Sequence, residues 1–346
     1  MWRLMSSVGE AVKILIEGRN LADAQARAAM TALMSGEATQ AEIGAFLACL
    51  RMKGETDEEV AAFVSVMRDN AVRIPCRSTD VVDTCGTGGD AADTFNISTA
   101  AAFVAAGAGV RVAKHGNRAV SSQCGSADVL KALGVIVEAP VETVADCIDS
   151  VGIGFLFAPL LHPAMKHAIG PRRELGVRTV FNLLGPLTNP AGARRQIVGV
   201  FAEAAVPLVA GALARLGCER ALVVHGLCGL DEVSTVGPTV VGWVEGGTWR
   251  QVTWTPGTFG VPEATLDQLA GGDPEESARM LTDALEGAPG PRTDVVLVNA
   301  AGAVIAAGLA DSPEEAMSVA RESLGSGAAR AKLDALREAS RGGGAE

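Results

Sequence analysis

The sequence predicts an α/β protein, with a small N-terminal helical domain and a large domain in which a mostly parallel sheet is covered by helices. Three observations carry this. Residues 1–75 contain helical apolar patterns interrupted at Gly18, Gly36 and Gly54, and no run that reads as a strand. Beyond Ser78, short apolar runs alternate with helical stretches, as strand–helix–strand units do. At 346 residues with 48% apolar content, the chain exceeds the size at which one core keeps growing and can fill two.

In chain order, two helices are expected to begin at Thr39 and Thr56. Each is followed three residues later by an acid, Glu42 and Glu59, in the spacing of a capping box. Strands are then expected at Val81-Val82, Val110-Arg111-Val112-Ala113, Val135-Ile136-Val137, Phe155-Leu156-Phe157, Ile197-Val198-Gly199-Val200, Ala221-Leu222-Val223-Val224 and Val295-Val296-Leu297-Val298. Between residues 234 and 256, repeated Val, Thr and Trp around Gly246-Gly247 predict an antiparallel hairpin on the same sheet. The tail from Ser340 to Glu346 is expected to fray.

Two loops carry the chemistry. After Val81-Val82, the segment Asp83-Thr84-Cys85-Gly86-Thr87-Gly88-Gly89-Asp90 leads to Phe95-Asn96-Ile97-Ser98-Thr99 and an Ala-rich helix. Clustered glycines let backbone N–H groups converge on an anion, and the helix N-terminus behind them adds donors and dipole. This loop alone leaves a dinucleotide site and a plain tight turn open, because Gly86-x-Gly88-x-x-Ala91 also satisfies the dinucleotide fingerprint. The second loop decides between them. A dinucleotide site needs an acid at the end of the next strand, whereas this chain has Lys114-His115-Gly116-Asn117-Arg118-Ala119-Val120-Ser121-Ser122. A point cation, a guanidinium fork, an amide and two hydroxyls suit a multiply charged phosphate ester.

Net charge is −11, which argues against general nucleic-acid binding. The distribution is uneven: residues 108–200 hold ten Lys or Arg against six Asp or Glu, so basic residues concentrate around the anion loops. The seven cysteines form no C-x-x-C pair and no zinc spacing, and read as reduced thiols of a cytoplasmic protein. Charges at Arg3, Glu10, Lys13 and Glu17 interrupt any export signal, and neither export nor membrane insertion is expected.

The two loops, together with Gly170-Pro171-Arg172-Arg173-Glu174-Leu175-Gly176 and Arg178-Thr179-Val180-Phe181-Asn182-Leu183-Leu184-Gly185-Pro186-Leu187, resemble the anthranilate phosphoribosyltransferase family. The resemblance extends to Val224-His225-Gly226 and Leu230-Asp231-Glu232, and the chain length fits the family throughout. It implies the nucleoside phosphorylase/phosphoribosyltransferase-like fold. It also implies a helical domain over 1–75 to which residues about 165–193 return, an α/β domain over 78–164 and 194–340, and a homodimer.

The implied reaction joins anthranilate to 5-phosphoribosyl 1-pyrophosphate, releasing pyrophosphate, in tryptophan biosynthesis. The resemblance assigns Gly86, Gly89, Asp90, Thr94, Asn96, Ile97, Ser98, Thr99, Lys114, His115, Gly116, Asn117, Arg118, Ala119, Val120, Ser121, Ser122 and Ser126 to the phosphoribosyl pyrophosphate. Gly86, Asn117 and Arg172 are assigned to anthranilate. Ser98, Asp231 and Glu232 are assigned to magnesium, as two Mg2+ ions. No covalent nucleophile is implied. His115 is open between positioning the acceptor and taking a proton from the amine, and positioning is preferred because an arylamine loses its proton readily once bonded to carbon. The apolar stretch Phe155 to Pro163, with His162 and Met165, is implied to line the route of the aromatic substrate.

Two relatives of the same fold are weighed as alternatives. A pyrimidine nucleoside phosphorylase carries Lys-His-Ser where this chain has Lys114-His115-Gly116-Asn117, and a non-catalytic nucleic-acid-binding relative would lack the glycine loop or the Asp-Glu pair. The chain departs from the family pattern at Cys228, where an acid is common, and at Gln123-Cys124, which replaces a polar pair.

Overall fold

Four helices open the chain in the computed structural model, which describes residues 6–90, 92–119 and 123–342. They are α1 (Ser7–Ile16), α2 (Asp23–Met34), α3 (Gln40–Lys53) and α4 (Asp57–Asp69). Both expected capping boxes are present: Thr39 and Thr56 accept from the backbone of Glu42 and Glu59, whose carboxylates return to the cap amides. Glu59 is 1% exposed and is matched by Lys53 Nζ at 2.7 Å and the Leu21 amide at 2.8 Å, so this buried charge is paired and hydrogen-bonded.

The α/β part runs β1 (Val82–Asp83), α5 (Ile97–Gly107), β2 (Val112–Gly116), α6 (Ser126–Ala132), α7 (Val141–Asp146), β3 (Ile153–Phe157) and α8 (Ala158–Leu161). Next come α9 (Lys166–Leu175) and α10 (Phe181–Leu184), which pack against the opening helices, α9 on α2 and α3 and α10 on α4. The chain then re-enters the sheet with β4 (Arg195–Gly199), α11 (Ala205–Arg215) and β5 (Arg220–Gly226). The hairpin β6 (Thr239–Glu245) and β7 (Thr248–Trp254) turns at Gly246-Gly247, as its alternation predicts. Helices α12 (Leu266–Leu269), α13 (Pro274–Leu285), α14 (Pro291–Ala307), α15 (Pro313–Gly325) and α16 (Ala328–Ala339) complete the order.

The sheet order is β3-β2-β1-β4-β5-β6-β7, parallel through β5 and antiparallel for the hairpin. Alternate residues bury on opposite faces. Ile197, Leu222, Val224, Val241 and Trp243 join a core with α5, α13, α14, α15 and α16, while Val198, Val200, Val223, Val240 and Val244 join a second core with α11 and the opening helices.

Four sequence expectations are corrected. Val295–Val298 is not a strand but the middle of α14, which is buried between α5, α13, α15 and the sheet and so lacks an amphipathic stripe. Its Pro291 start and left-handed Gly308 stop are the signals of a helix. Val135-Ile136-Val137 forms no strand: the Ile136 amide is taken by Ser340 Oγ at 3.0 Å, and Ile136 is 48% exposed. Ser340 is accordingly buried, and Arg341 and Gly342 continue its turn, so fraying does not begin at 340. Finally, β2 extends to Gly116, which places Lys114 and His115 on a strand instead of in the following loop.

Among the described residues no helix is long and apolar enough to cross a membrane.

Candidate active site

β1 is only two residues long, and after Asp83 the chain leaves the middle of the sheet as the glycine loop. Gly88 and Gly89 have φ of 64° and 75°, a region closed to most side-chain-bearing residues. Four contacts hold the loop. The Thr87 amide donates to the Gly199 carbonyl at 2.8 Å, and Thr87 Oγ1 accepts from the Phe201 amide at 3.1 Å. The Gly88 amide donates to Asp231 Oδ2 at 2.8 Å. Arg178 donates to the Gly89 carbonyl and lies 4.5 Å over the Phe201 ring.

Behind the loop, Asn96 stands at the N-terminal end of α5 without a side-chain cap bond: it donates through Nδ2 to the Cys124 carbonyl at 3.1 Å, while its Oδ1 is buried without a partner. The side chains of Ile97 and Thr99 are buried in the interior, and their backbone amides donate to the Phe95 carbonyl at 2.7 Å and the Asn96 carbonyl at 3.1 Å, which fixes the first turn of α5. Thr94 bridges to Ala270. Lys114 is 3% exposed, and its Nζ donates to the Thr84 carbonyl at 3.1 Å, Thr84 Oγ1 at 3.3 Å and Ser98 Oγ at 3.2 Å. A buried ammonium whose hydrogen-bond partners are all neutral oxygens keeps its charge unmatched by direct contact, which suits it to meet an anion.

The second loop starts at Gly116, where a Cβ would stand 2.3 Å from Ser126 Oγ. The Asn117 carbonyl accepts from Ser126 Oγ at 3.2 Å, and the Ala119 amide donates to Asp128 Oδ2 at 2.9 Å, which pins the loop to the start of α6. Arg118 is turned to Glu138 at 2.6 Å and lies over Phe157. Val120, Ser121 and Ser122 lie outside the described residues.

Asp231 and Glu232 follow β5 on a turn closed by the Gly226 amide on the Leu230 carbonyl at 2.8 Å. His225 braces the same strand end, its Nδ1 2.8 Å from the Val200 carbonyl. Desolvation raises the pKa of both carboxyls. Asp90 raises that of Asp231 further, and Asp231 and Asp90 raise that of Glu232, against the opposing charge of Lys114. Three crowded acids beside the Ser98 hydroxyl are a hard-oxygen donor set short of positive charge, which fits magnesium. No grouping of three or more His, Cys, Asp or Glu among the described residues forms a ready cage, and magnesium characteristically takes one or two carboxylates plus substrate phosphates. The two departures are accommodated locally: Cys228 Sγ lies 3.2 Å from Ser234 Oγ, and Cys124 is buried.

His115 and His162 face each other with ring centroids 5.1 Å apart. Both nitrogens of His115 and Nε2 of His162 are buried without partners, the Gly185 backbone approaching His115 outside hydrogen-bond geometry. Desolvation, and for His115 also the facing imidazole, lowers the pKa values to about 3 and about 4. Both rings are therefore neutral when folded, while a free imidazole takes up a proton near pH 6.5. Their stability contribution is complete above that pH and is lost as pH falls through the folded values. At pH 5 each ring should cost about 2 kcal/mol relative to pH 7. Asp83, Asp231 and Glu232, with raised pKa values, act in the opposite direction, so the measurement is a difference. The wild-type denaturant midpoint should fall more steeply from pH 7 to pH 5 than that of His162→Gln, and parallel slopes would overturn the reading.

Arg172 stands in the last turn of α9, with its guanidinium 5.3 Å over the Phe181 ring. Burial lowers its pKa, and no carboxylate pairs with it among the described residues. Four contributors were not singled out from sequence: Asp83, Asn189, Arg178 and Gly199. Asp83 carried a signal, an acid at the end of an apolar strand; Arg178 and Asn189 act through contacts that span 89 and 106 residues, and Gly199 through close backbone approach.

Residues 9–71 match the model of the glycosyl transferase family helical bundle domain, and residues 78–330 match that of its a/b domain. An anthranilate phosphoribosyltransferase of Moorella thermoacetica is 54% identical, over 93% of this chain and 95% of its own length. One of Anaeromyxobacter dehalogenans is 55% identical, over 95% and 97%.

The chain belongs to the anthranilate phosphoribosyltransferase family.

The crystal structure of the anthranilate phosphoribosyltransferase from Thermus thermophilus superposes with a TM-score of 0.91 at 45% identity, covering 96% of this chain and 99% of that one. The Saccharomyces cerevisiae anthranilate phosphoribosyltransferase in complex with PRPP and Mg superposes at 0.88 with 28% identity, covering 98% and 99%. The fold expected from sequence, a small helical domain and a large α/β domain with a mostly parallel sheet, is that of the anthranilate phosphoribosyltransferases.

Proposed function

We propose that this chain transfers the phosphoribosyl group of 5-phosphoribosyl 1-pyrophosphate to the amine of anthranilate, forming N-(5-phosphoribosyl)anthranilate in tryptophan biosynthesis. One observation carries the reading: the glycine loop, the buried ammonium of Lys114 and the Asp231–Glu232 turn meet at one end of the sheet, joined by the Gly88 amide on Asp231 at 2.8 Å. As the C1–O bond to pyrophosphate breaks, positive charge grows on the ribose and the C1–N bond forms, after which the nitrogen releases a proton. The residues named from the family motif, Gly86 to Asp90, Thr94 to Thr99, Lys114 to Ser122 and Ser126, hold the phosphoribosyl pyrophosphate. The Lys114 ammonium and the loop amides oppose the diphosphate charge.

Ser98, Asp231 and Glu232 would hold Mg2+, as two ions, which when bound would offset the charge that builds on the leaving group. Anthranilate lies by Gly86, Asn117 and Arg172, whose guanidinium grips its carboxylate in a paired fork. His115 positions it, its unpartnered ring nitrogens supporting that role over a dedicated base.

We further assign residues 1–75 and about 165–193 to one domain and 78–164 and 194–340 to the other. Ala168, Val180, Phe181, Leu183 and Leu184 share a core with α1 to α4, which supports this division. The chain acts as a cytoplasmic homodimer built through the helical domain, where Ile16 and Met52 are 69% and 86% exposed.

The test is loss of anthranilate fluorescence on mixing the protein with phosphoribosyl pyrophosphate and magnesium, with each component omitted in turn. Decay requiring every component supports the reading; no decay, with phosphate-dependent cleavage of uridine or thymidine, replaces it by the phosphorylase. Arg172→Ala should raise the Michaelis constant for anthranilate by roughly 10 to 100-fold and leave that for phosphoribosyl pyrophosphate within about twofold. An unchanged anthranilate constant would remove Arg172 from that pocket.

A further inference from the structure

Asp83 is the last residue of β1 and is 1% exposed, in the centre of the sheet. Buried carboxylates are rare without full hydrogen bonding, and this one has it. Oδ1 accepts the His115 amide at 3.0 Å, and Oδ2 accepts Asn189 Nδ2 at 2.6 Å. β2 continues past the short β1, so at His115 the side chain of Asp83 takes the place that the β1 backbone has left. Asn189 completes the contact: its Nδ2 also donates to the Ala113 carbonyl at 2.8 Å, and its Oδ1 accepts the Ala191 amide at 2.8 Å. Lys114, between the two fixed residues of β2, makes contacts only with neutral oxygens, and Asp83 is an opposing negative charge close to it.

Resting on the function proposed above, we propose that Asp83 is a positioning residue, which with Asn189 clasps the Lys114–His115 end of β2 to the segment returning from α10 and so sets the phosphoribosyl pyrophosphate site. The clasp reaches across 106 residues of chain and involves none of the glycines at 86, 88 and 89. Its loss leaves the His115 amide and one Asn189 N–H without acceptors inside the sheet, and the strand end carrying Lys114 and leading to Asn117 gains freedom where the substrate charge must be met.

The test compares Asp83→Asn, Asn189→Ala and the double variant. Each single variant should raise the Michaelis constant for phosphoribosyl pyrophosphate by about tenfold and lower kcat, leaving that for anthranilate within about twofold. The double variant should be no worse than the poorer single one, because the two side chains act as a unit. Ser323→Ala, which removes a buried hydrogen bond to the Val104 carbonyl far from the loops, serves as the comparison for stability loss alone and should lower the melting temperature without moving either constant. Unchanged Michaelis constants in folded Asp83→Asn or Asn189→Ala, or losses that add in the double variant, would overturn the proposal. Should Asp83→Asn fail to fold, Asn189→Ser, which keeps the carboxylate in place, answers the same question. Calorimetric binding of magnesium–phosphoribosyl pyrophosphate to the same proteins separates the two readings. Weakened binding in the variants upholds Asp83 even if the wild type fails to consume anthranilate, whereas equal binding rejects it.

Discussion

Replacing Asp231 and Glu232 together by Ala is expected to lower turnover roughly a thousandfold and to abolish what remains of the magnesium dependence. A thousandfold is about 4 kcal/mol of transition-state stabilisation, within what a metal-neutralised leaving group contributes. The fold should survive, because both carboxyls are partly solvent-accessible and repel each other and Asp90; desolvation and that repulsion raise their pKa values. Removing them relieves the repulsion, at the loss of one acceptor for the Gly88 amide. A melting temperature at or above that of the wild type, with activity lost, is the expected pair of results. Wild-type rates with intact magnesium dependence would remove the acid pair from the metal site.

Gly199→Ala should be nearly as damaging by another route. A Cβ at residue 199 would stand 1.5 Å from the Asp231 carbonyl oxygen and 2.5 Å from its carbonyl carbon. Both partners are backbone, so no rotamer change relieves the overlap, and either β4 or the acid turn must move. The Gly199 carbonyl also accepts the Thr87 amide, so a shift of the strand displaces the glycine loop as well. Overpacking of this kind costs about 3 kcal/mol, and activity should fall at least about a hundredfold because loop and acid turn are displaced together. Thermal denaturation and steady-state rates check both parts, and an Ala variant matching the wild type in both would show that the strand and turn yield freely.

Much of this was legible in the sequence because it is local. Thr39–Glu42 and Thr56–Glu59 are caps whose partners lie three residues away, and the glycine loop announces itself by composition. The errors fall where burial is complete or a partner is distant. Val295–Val298 has no polar face because α14 is enclosed on all sides, so helix and strand patterns look alike there. Val135–Val137 alternates as a strand does, with Val135 and Val137 inside and Ile136 outside, but the amide partner it finds is a serine 204 residues later. In the site, Lys114 could be chosen by its charge. That its ammonium rests on Thr84 and Ser98, and that Asp83 and Asn189 secure its strand, depends on contacts no spacing records.

The division of β4, β5 and β6 between two cores has a consequence for how the molecule comes apart. Val198, Val223 and Val244 belong to the bundle side, and Ile197, Leu222 and Trp243 on the same strands belong to the other. The sheet is thus a party wall, and neither room stands without it. Stripping away the N-terminal helices would leave that wall without much of its apolar cover, so the two layers melt as one cooperative unit, and a fragment beginning near residue 78 would aggregate before it could serve as an independent sheet.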